Sequence, residues 1–320
     1  MMSNTDSNIQ KVTPKNSKRG RKKIVYSKED LERQPMLVLT CGETGVGKTY
    51  RNLLEIFRYM KDNAATGRKG RKVLAFDVND HDYPKFKTVK VNLIQNLTAI
   101  AARRIRPISP KGRNMNLDEK RDVVEQMVNR FKNGLLVLED LDKYMAGAKG
   151  QSIIGLLTTN RHNGLDIMIS HQSIAKITTT EWENCTWLRL HHQVDDIFRY
   201  RERIPNYFLV RMATFIVDEQ YDLANDSYVN GSISKDEFKR RKSFYVYVDM
   251  RRLRLRGVSR EAFIRAAKKY IDTHETKKVK MMLQEMNMDD TPKFKNRSEV
   301  VVHLISKYLR HHEQKQNSAF

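Results

Sequence analysis

A glycine-rich loop between an apolar run and an amphipathic run constrains this 320-residue chain more than any other feature. The apolar segment 36–40 precedes the loop, and helical spacing follows it over 48–62. The loop itself is Gly42-Glu43-Thr44-Gly45-Val46-Gly47-Lys48-Thr49. A strand, Gly-x-x-x-x-Gly-Lys-Thr and a helix, in this order, are typical of a phosphate-binding loop. The sequence therefore predicts a parallel α/β fold that binds a nucleoside triphosphate, with ATP and Mg2+ as the expected cofactors.

Each part of the loop has an expected role in holding phosphates. The glycines at 42, 45 and 47 allow the backbone to wrap closely with its N–H groups pointing inward, at the positive end of the following helix. Lys48 is expected to reach the β- and γ-phosphates. Thr49 is expected to offer its hydroxyl to Mg2+, which also bridges phosphate oxygens.

Two carboxylates follow a second apolar run. The segment 134–138 is apolar and ends at Glu139 and Asp140, which is the pattern of a Walker B strand. One carboxylate is expected to hold the Mg2+ shell and the other to orient or deprotonate the attacking water. The usual order is Asp then Glu, and here it is reversed. By position Glu139 is the metal-side group and Asp140 the catalytic one, but the pair is predicted and the division between them stays open, with Asp140 as the alternative metal ligand.

Three further polar residues are candidates for the reaction. Gln172 follows the predicted strand 165–170, where an amide is positioned to detect the γ-phosphate, although strand-end glutamines are also common turn residues. Ring ATPases often recruit a guanidinium from a neighbouring subunit to stabilise the transition state. Arg161 and Arg189 are the candidates for this role, against the alternative that either is ordinary surface charge.

The remaining pattern predicts an ATPase domain between two basic segments. The domains are expected to be a flexible basic arm at 1–34, a P-loop ATPase domain at 35–250 and a basic helical region at 251–320. Segment 87–113 is predicted to hold a short strand near 89–91 and a basic loop. The other predicted strands are 36–40, 72–77, 134–139, 165–170, 186–191 and 244–248; the predicted helices are 48–62, 117–132, 151–163, 195–223, 259–273, 276–286 and 297–311.

The net charge restricts the partners. A formal charge of +22 and a pI near 9.9 favour attraction to a polyanion, with nucleic acid as the first candidate. No apolar run approaches the roughly 18 to 20 residues of a spanning helix, so membrane insertion is not expected. The N-terminus is polar and lacks the apolar stretch of a secretory signal, which predicts a cytoplasmic protein, in the host cytoplasm if the chain is viral.

The order of these motifs resembles the HerA/FtsK-like superfamily of DNA-pumping ATPases, which includes packaging ATPases of some viruses. The resemblance covers roughly 36–200. Its elements are the phosphate loop, the segment 73–83 with Asp77 and Asp82-Tyr83, the Glu139-Asp140 pair, the run from Arg161-His-Asn-Gly164 to Ser170-His-Gln172, and the strand that holds Arg189. The sequence departs from the family pattern in the reversed acidic pair and in His171, which interrupts the usual Ser-Gln.

This resemblance implies a RecA-like sheet of the additional-strand type, with one strand between the two Walker strands. It implies a ring, a hexamer or pentamer, in which Gln172 senses the γ-phosphate and Arg161 or Arg189 acts as an arginine finger. The implied function is a phage or viral genome-packaging motor that moves double-stranded DNA, with a portal or another assembly protein as partner.

Two other functions stay open. One is a phage assembly or secretion ATPase similar to the zonular-occludens-toxin-type proteins of filamentous phage, for which the expected polymer is single-stranded DNA with coat protein at a membrane. The lack of a spanning segment weighs against this alternative. The other is a nucleotide-dependent DNA-binding switch that uses the C-terminal helices.

Overall fold

The fold is known from a computed structural model, which describes residues 35–64, 67–145 and 163–309. The predicted N-terminal arm, Arg161 and almost all of the predicted helix 151–163 lie outside these residues. Within the described ranges, no helix combines the length and the apolar character needed to cross a bilayer.

A nine-stranded sheet forms the centre of the molecule, in the order β3-β4-β2-β5-β6-β1-β7-β8-β9. Its first seven strands in this order are parallel, and β8 and β9 continue it antiparallel. The strands are β1 Leu37–Cys41, β2 Lys72–Phe76, β3 Lys87–Thr88, β4 Ala102–Ile105, β5 Gly134–Leu138, β6 Leu165–His171, β7 Trp187–His191, β8 Tyr245–Asp249 and β9 Arg254–Arg256.

The sheet order confirms the predicted fold class. β6 lies between β1, which leads into the phosphate loop, and β5, which leads into Glu139. This is the additional strand that the resemblance implies, so the chain has the α/β fold of an additional-strand P-loop NTPase. The apolar runs identified these buried parallel strands because both of their faces are covered.

The helices predicted within the described residues lie near their expected positions with one large exception, and the helices at 179–184 and 235–242 were not predicted. They are α1 Lys48–Tyr59, α2 Leu117–Arg130, α3 Thr179–Asn184, α4 Tyr207–Val229, α5 Lys235–Lys242, α6 Arg260–His274, α7 Thr276–Leu283 and α8 Arg297–Leu309. The predicted helix 195–223 is wrong at both ends: only a short 3-10 turn occupies 197–200, and the long helix begins after Asn206, whose left-handed backbone separates the two.

The basic loop predicted within 87–113 is partly wrong, because Ala102–Ile105 forms β4. The short strand expected near 89–91 lies instead at β3, and Val91 begins a 3-10 helix. In β4, Arg104 Nη1 lies 2.5 Å from Oδ2 of the buried Asp77 at the end of β2. A buried carboxylate needs such a partner, and this need was not visible in the local sequence.

Two apolar layers enclose the sheet. α1 packs on one face through Ile56 and Tyr59. The other face is covered by α2, α4 and the C-terminal helices, which share a single apolar cluster. β9 joins the same sheet although it lies beyond position 250. The predicted division into three domains stays a prediction.

Candidate nucleotide site

The predicted site residues meet at the carboxyl edge of the parallel strands. β1, β5 and β6 are adjacent and parallel, so their carboxyl ends lie side by side. The phosphate loop leaves β1, the acidic pair leaves β5, and Gln172 follows β6. The fold therefore brings together three motifs that the sequence places more than 30 residues apart.

Backbone geometry explains the loop's glycines. Gly45 and Gly47 have φ angles of 85° and 81°, in the left-handed region that disfavours other residues. At Gly47 a Cβ atom would also lie 2.7 Å from Cβ of Ser243, in the segment that precedes β8. Gly47 is thus required for its conformation and for the close approach of a neighbouring segment.

Lys48 is buried and turned onto its own loop. Its Nζ donates to the carbonyl oxygens of Gly42 at 2.5 Å and of Glu43 at 2.8 Å. Burial lowers the pKa of Lys48, while the nearby acidic groups act in the opposite direction. An ammonium held by two backbone carbonyls is positioned to exchange them for phosphate oxygens, which are stronger acceptors.

Glu139 lies at the buried side of the acidic pair, with 3% of its surface exposed. Its Oε1 accepts hydrogen bonds from the Asn52 side-chain amide at 2.5 Å and from the Tyr83 hydroxyl. Burial raises the pKa of Glu139, and the hydrogen bonds from Tyr83 and Asn52 oppose this shift. The sequence analysis did not identify Asn52, and it named Tyr83 only as part of a resemblance and did not connect it with Glu139.

Asp140 is more accessible and faces Gln172. Its backbone is left-handed, with φ 45°, which turns its side chain away from the path of β5. Its oxygens accept from Asn79 Nδ2 at 3.3 Å and from Gln172 Nε2 at 3.4 Å. Gln172 thus contacts the acidic pair directly, and its role as a γ-phosphate sensor stays a prediction.

The loop after β2 supplies two of these partners. The oxygens of Asp77 accept the backbone N–H groups of Asp82 and Tyr83, each at 3.1 Å. Together with the ion pair to Arg104, these bonds fix the turn that carries the Tyr83 hydroxyl to Glu139. The sequence analysis identified Asp77 and Asp82-Tyr83 only as elements of a resemblance, and the structure shows what they do locally.

Arg189 lies beneath the phosphate loop of its own chain. It is fully buried in β7, next to Thr40 of β1. Its Nη2 donates to the side-chain oxygen of Asn52 and lies 3.4 Å from the carbonyl oxygen of Lys48. In this structure the guanidinium is not presented to a neighbouring subunit, so the geometry does not support Arg189 as an arginine finger. Arg161, the other candidate, lies outside the described residues.

Asn52 connects these groups. Its side-chain amide donates to Glu139 and to Ser170 Oγ, while its oxygen accepts from Arg189. Asn52 is fully buried and lies four residues after Lys48 on α1, so both side chains share one helix face. That spacing was the signal for Asn52 in the sequence.

His171 has a structural partnership in place of a catalytic one. It is fully buried at the end of β6, with Nδ1 3.1 Å from Asp142 and Nε2 3.2 Å from Glu181. Burial alone would lower the pKa of His171, but its interactions with the two carboxylates outweigh burial and raise the pKa above 6.5. The imidazole therefore links the segment after Asp140 to α3, and the raised pKa favours its protonated form.

We expect the contribution of His171 to the stability of the protein to decrease as the pH rises. Because the folded-state pKa of His171 is raised, its contribution is fully present below the unfolded value and is lost as pH rises through the folded value. His171→Gln should lower the free energy of unfolding by about 3 kcal/mol at pH 6, in the range for breaking a buried ion pair, and by less at pH 8.5. Denaturant unfolding at both pH values measures this. The exposed His303→Gln is the control, and an equal loss at both pH values would contradict the charged state.

The donor set at this edge fits Mg2+. Thr49, Glu139 and Asp140 offer oxygen ligands, which this ion prefers, and it commonly takes one or two carboxylates while water and substrate phosphates complete its shell. Among the described residues no three acidic, His or Cys side chains form a metal site by themselves.

The sheet order, the phosphate loop and the acidic pair define a P-loop NTPase of the additional-strand class. Residues 36–202, just over half of the chain, match the family model described as "Zonular occludens toxin (Zot)". The chain belongs to this family. The sequence analysis named zonular-occludens-toxin-type proteins as an alternative; the match shows the family, and an assembly or secretion function stays a prediction. The resemblance to the HerA/FtsK-like superfamily stays a prediction.

Solved structures provide more distant similarities. The genome packaging NTPase B204 from Sulfolobus turreted icosahedral virus 2, in complex with AMPPCP, is 12% identical, with 69% of this chain and 95% of that chain covered and a TM-score of 0.41. The N-terminal domain of zonular occludens toxin from Neisseria meningitidis is 14% identical, with 49% of this chain and 76% of that chain covered and a TM-score of 0.30. The Legionella pneumophila ATPase DotB is 14% identical, with 66% of this chain and 61% of that chain covered and a TM-score of 0.29. No curated protein matches the chain.

Proposed function

We propose that this protein is an ATP-hydrolysing motor that moves DNA during the packaging or assembly of a phage or virus. The observation that carries the proposal is the meeting of Lys48, the acidic pair and Gln172 at one sheet edge. A protein that only binds nucleotide needs the loop, whereas hydrolysis also needs a carboxylate and a polar group beside the γ-phosphate. Membership of the Zot family fits a phage protein.

The residues divide the chemistry by their accessibility. Lys48 leaves the carbonyls of Gly42 and Glu43 and binds the β- and γ-phosphates. Asp140, the more accessible carboxylate, accepts a proton from the attacking water, and Gln172 orients that water. Glu139 and the Thr49 hydroxyl would hold Mg2+, which would supply positive charge to neutralise the phosphate oxygens.

Charge supports DNA as the moved polymer. The net charge of +22 favours a polyanion, and phosphate contacts grip DNA without reading its sequence. Exposed lysines on the C-terminal helices contribute to this charge; they include Lys268, Lys269, Lys277 and Lys280. A ring of five or six copies would surround the DNA with such side chains, and Arg161 is the remaining candidate for an arginine that acts on a neighbour's nucleotide.

The test is steady-state ATP hydrolysis by the purified chain, alone and with long linear double-stranded DNA, at low salt and near physiological salt. We expect duplex DNA to stimulate hydrolysis several fold, and the stimulation to weaken as salt rises because phosphate contacts are screened. Hydrolysis that is equal with and without any DNA would contradict a DNA-coupled motor and favour a nucleotide-dependent switch.

The family match favours a second form of the motor, an assembly or secretion ATPase that acts on single-stranded DNA. Circular single-stranded DNA in the same assay separates the two forms. Stimulation by the duplex alone supports packaging, and stimulation by the circular single strand alone supports assembly or secretion. A Lys48→Ala protein in each mixture controls for a contaminating ATPase.

A further inference from the structure

We propose that Tyr50 provides the stacking surface for the nucleobase, in a subsite between the phosphate loop and the C-terminal end of α5. This inference rests on the proposed function, because it concerns the same nucleotide. It adds a residue that recognises the nucleoside, which the phosphate loop and the acidic pair do not contact.

The direction of the bound nucleotide follows from the order of the strands. The acidic pair and Gln172 lie at the ends of β5 and β6, on one side of β1. Hydrolysis requires the γ-phosphate on that side. The nucleoside must then leave the loop towards the opposite side of β1, where β7 and β8 lie.

An exposed aromatic ring lies at the start of this path. Tyr50 directly follows Thr49 in the first turn of α1, and 53% of its surface is exposed. Helix α1 is otherwise anchored to the sheet through buried residues, so the exposure of Tyr50 is not required by packing. Aromatic side chains at such positions stack on bases because every base has a π-face.

The ring has a fixed neighbour. The Arg51 guanidinium lies over the Tyr50 ring, with Cζ 5.5 Å from the ring centroid, and it also lies 5.1 Å from the centroid of the Tyr245 ring. Arg51 is held in place because its Nε and Nη2 donate to the carbonyl and hydroxyl oxygens of Ser243, at 3.1 and 2.9 Å. A ring supported in this way loses little freedom when a base stacks on it.

The segment before β8 forms the other wall of the subsite. Ser243 approaches Gly47 so closely that a Cβ at Gly47 would lie 2.7 Å from Cβ of Ser243. α5 ends immediately before this point, and Arg240 in its last turn is near enough to Tyr50 to interact with it electrostatically. The Arg240 guanidinium donates through Nε and Nη2 to Glu237, each at 2.7 Å, and its exposed remainder faces solvent, where the α-phosphate or the base can approach it.

The experiment compares the binding of ATP with that of inorganic tripolyphosphate, each with Mg2+, by calorimetry on the full chain. Tripolyphosphate fills the phosphate loop but has no base. In Tyr50→Leu, which keeps an apolar side chain without an aromatic face, we expect ATP to bind about tenfold more weakly, as for the loss of one stacked base. Tripolyphosphate should bind Tyr50→Leu as it binds wild type. Tyr50→Phe should bind ATP more tightly than Tyr50→Leu.

Phe57→Leu is the matched control, because Phe57 lies seven residues later on the same helix with 46% of its surface exposed. Equal ATP affinity in Tyr50→Leu and Phe57→Leu would overturn the inference. So would an equal loss of affinity for ATP and tripolyphosphate in Tyr50→Leu, since it would mean a distorted loop. If the wild-type protein binds ATP no more tightly than it binds tripolyphosphate, the proposed base subsite is contradicted, while the phosphate loop is still supported as the phosphate site. If wild type binds neither ligand, the proposed function fails and this inference fails with it.

Discussion

Replacing Lys48 by alanine is expected to weaken nucleotide binding about 100-fold or more and to abolish measurable hydrolysis. The ammonium is buried against the loop and close to both carboxylates of the acidic pair. Removing one partner of such a buried charge contact costs about 2–5 kcal/mol, and about 1.4 kcal/mol corresponds to a tenfold change in affinity. Truncation leaves the backbone carbonyls of Gly42 and Glu43 without their donor, but this loop is partly exposed and water can replace it.

Equilibrium binding of a fluorescent ATP analogue measures the first effect and phosphate release the second. Lys61→Ala is the matched control, since Lys61 is an exposed lysine just beyond the end of α1. Thermal unfolding of both variants separates lost binding from lost fold. A Lys48→Ala protein that is folded and binds ATP as wild type does would exclude this loop as the nucleotide site.

The motifs with fixed local geometry were predictable from the sequence. The phosphate loop needs glycines at given positions and a lysine at one, so its spacing alone identified Lys48. The capping box at the start of α2 is another such signal: Asn116 Oδ1 accepts from Glu119 N–H, and Glu119 Oε2 accepts from Asn116 N–H, both at 2.8 Å. Each of these features depends on fewer than ten consecutive residues.

The features of the fold and of the site that depend on contacts between residues distant in the sequence were not predictable. Asn52 and Tyr83 bind Glu139 from 87 and 56 residues away, and the spacing of Asn52 from Lys48 indicates a shared helix face without naming Glu139 as the partner. The sequence analysis predicted a basic loop at β4 because the surrounding segment is rich in basic residues and contains prolines, and the buried Asp77 that pairs with Arg104 lies 27 residues earlier. Tertiary pairing decides these positions, and local propensity does not.

Arg189 is a residue that the sequence did identify, but for a role that its position in the fold does not support. Its place in a resemblance suggested an arginine that acts near a nucleotide, but sequence order does not reveal which way a strand residue faces. The structure places it under α1, where Asn52 joins it to Glu139. The candidate arginine finger is thus part of a buried polar network that positions the acidic pair of its own chain.

The two carboxylates at the end of β5 are expected to have separable effects. Asp140→Asn should retain binding of ATP with Mg2+ while hydrolysis falls about 100- to 10,000-fold, the usual contribution of a general base. Asp140 is the carboxylate that contacts Gln172 and is the less buried of the two. A phosphate-release assay beside an ATP-binding measurement shows whether turnover alone is lost.

Glu139→Gln should instead raise the Mg2+ concentration that is needed for half-maximal hydrolysis. Glu139 accepts hydrogen bonds from Asn52 and Tyr83 through Oε1, and it follows β5 at the sheet edge where the phosphate loop with Thr49 leaves β1, so its carboxylate is positioned for the metal shell. The exposed Asp122→Asn on α2 is the control for both variants.

If Glu139→Gln abolishes turnover at every Mg2+ concentration while Asp140→Asn mainly shifts the Mg2+ requirement, the two roles are exchanged. Full hydrolysis in the double variant would mean that this pair does not act on the nucleotide.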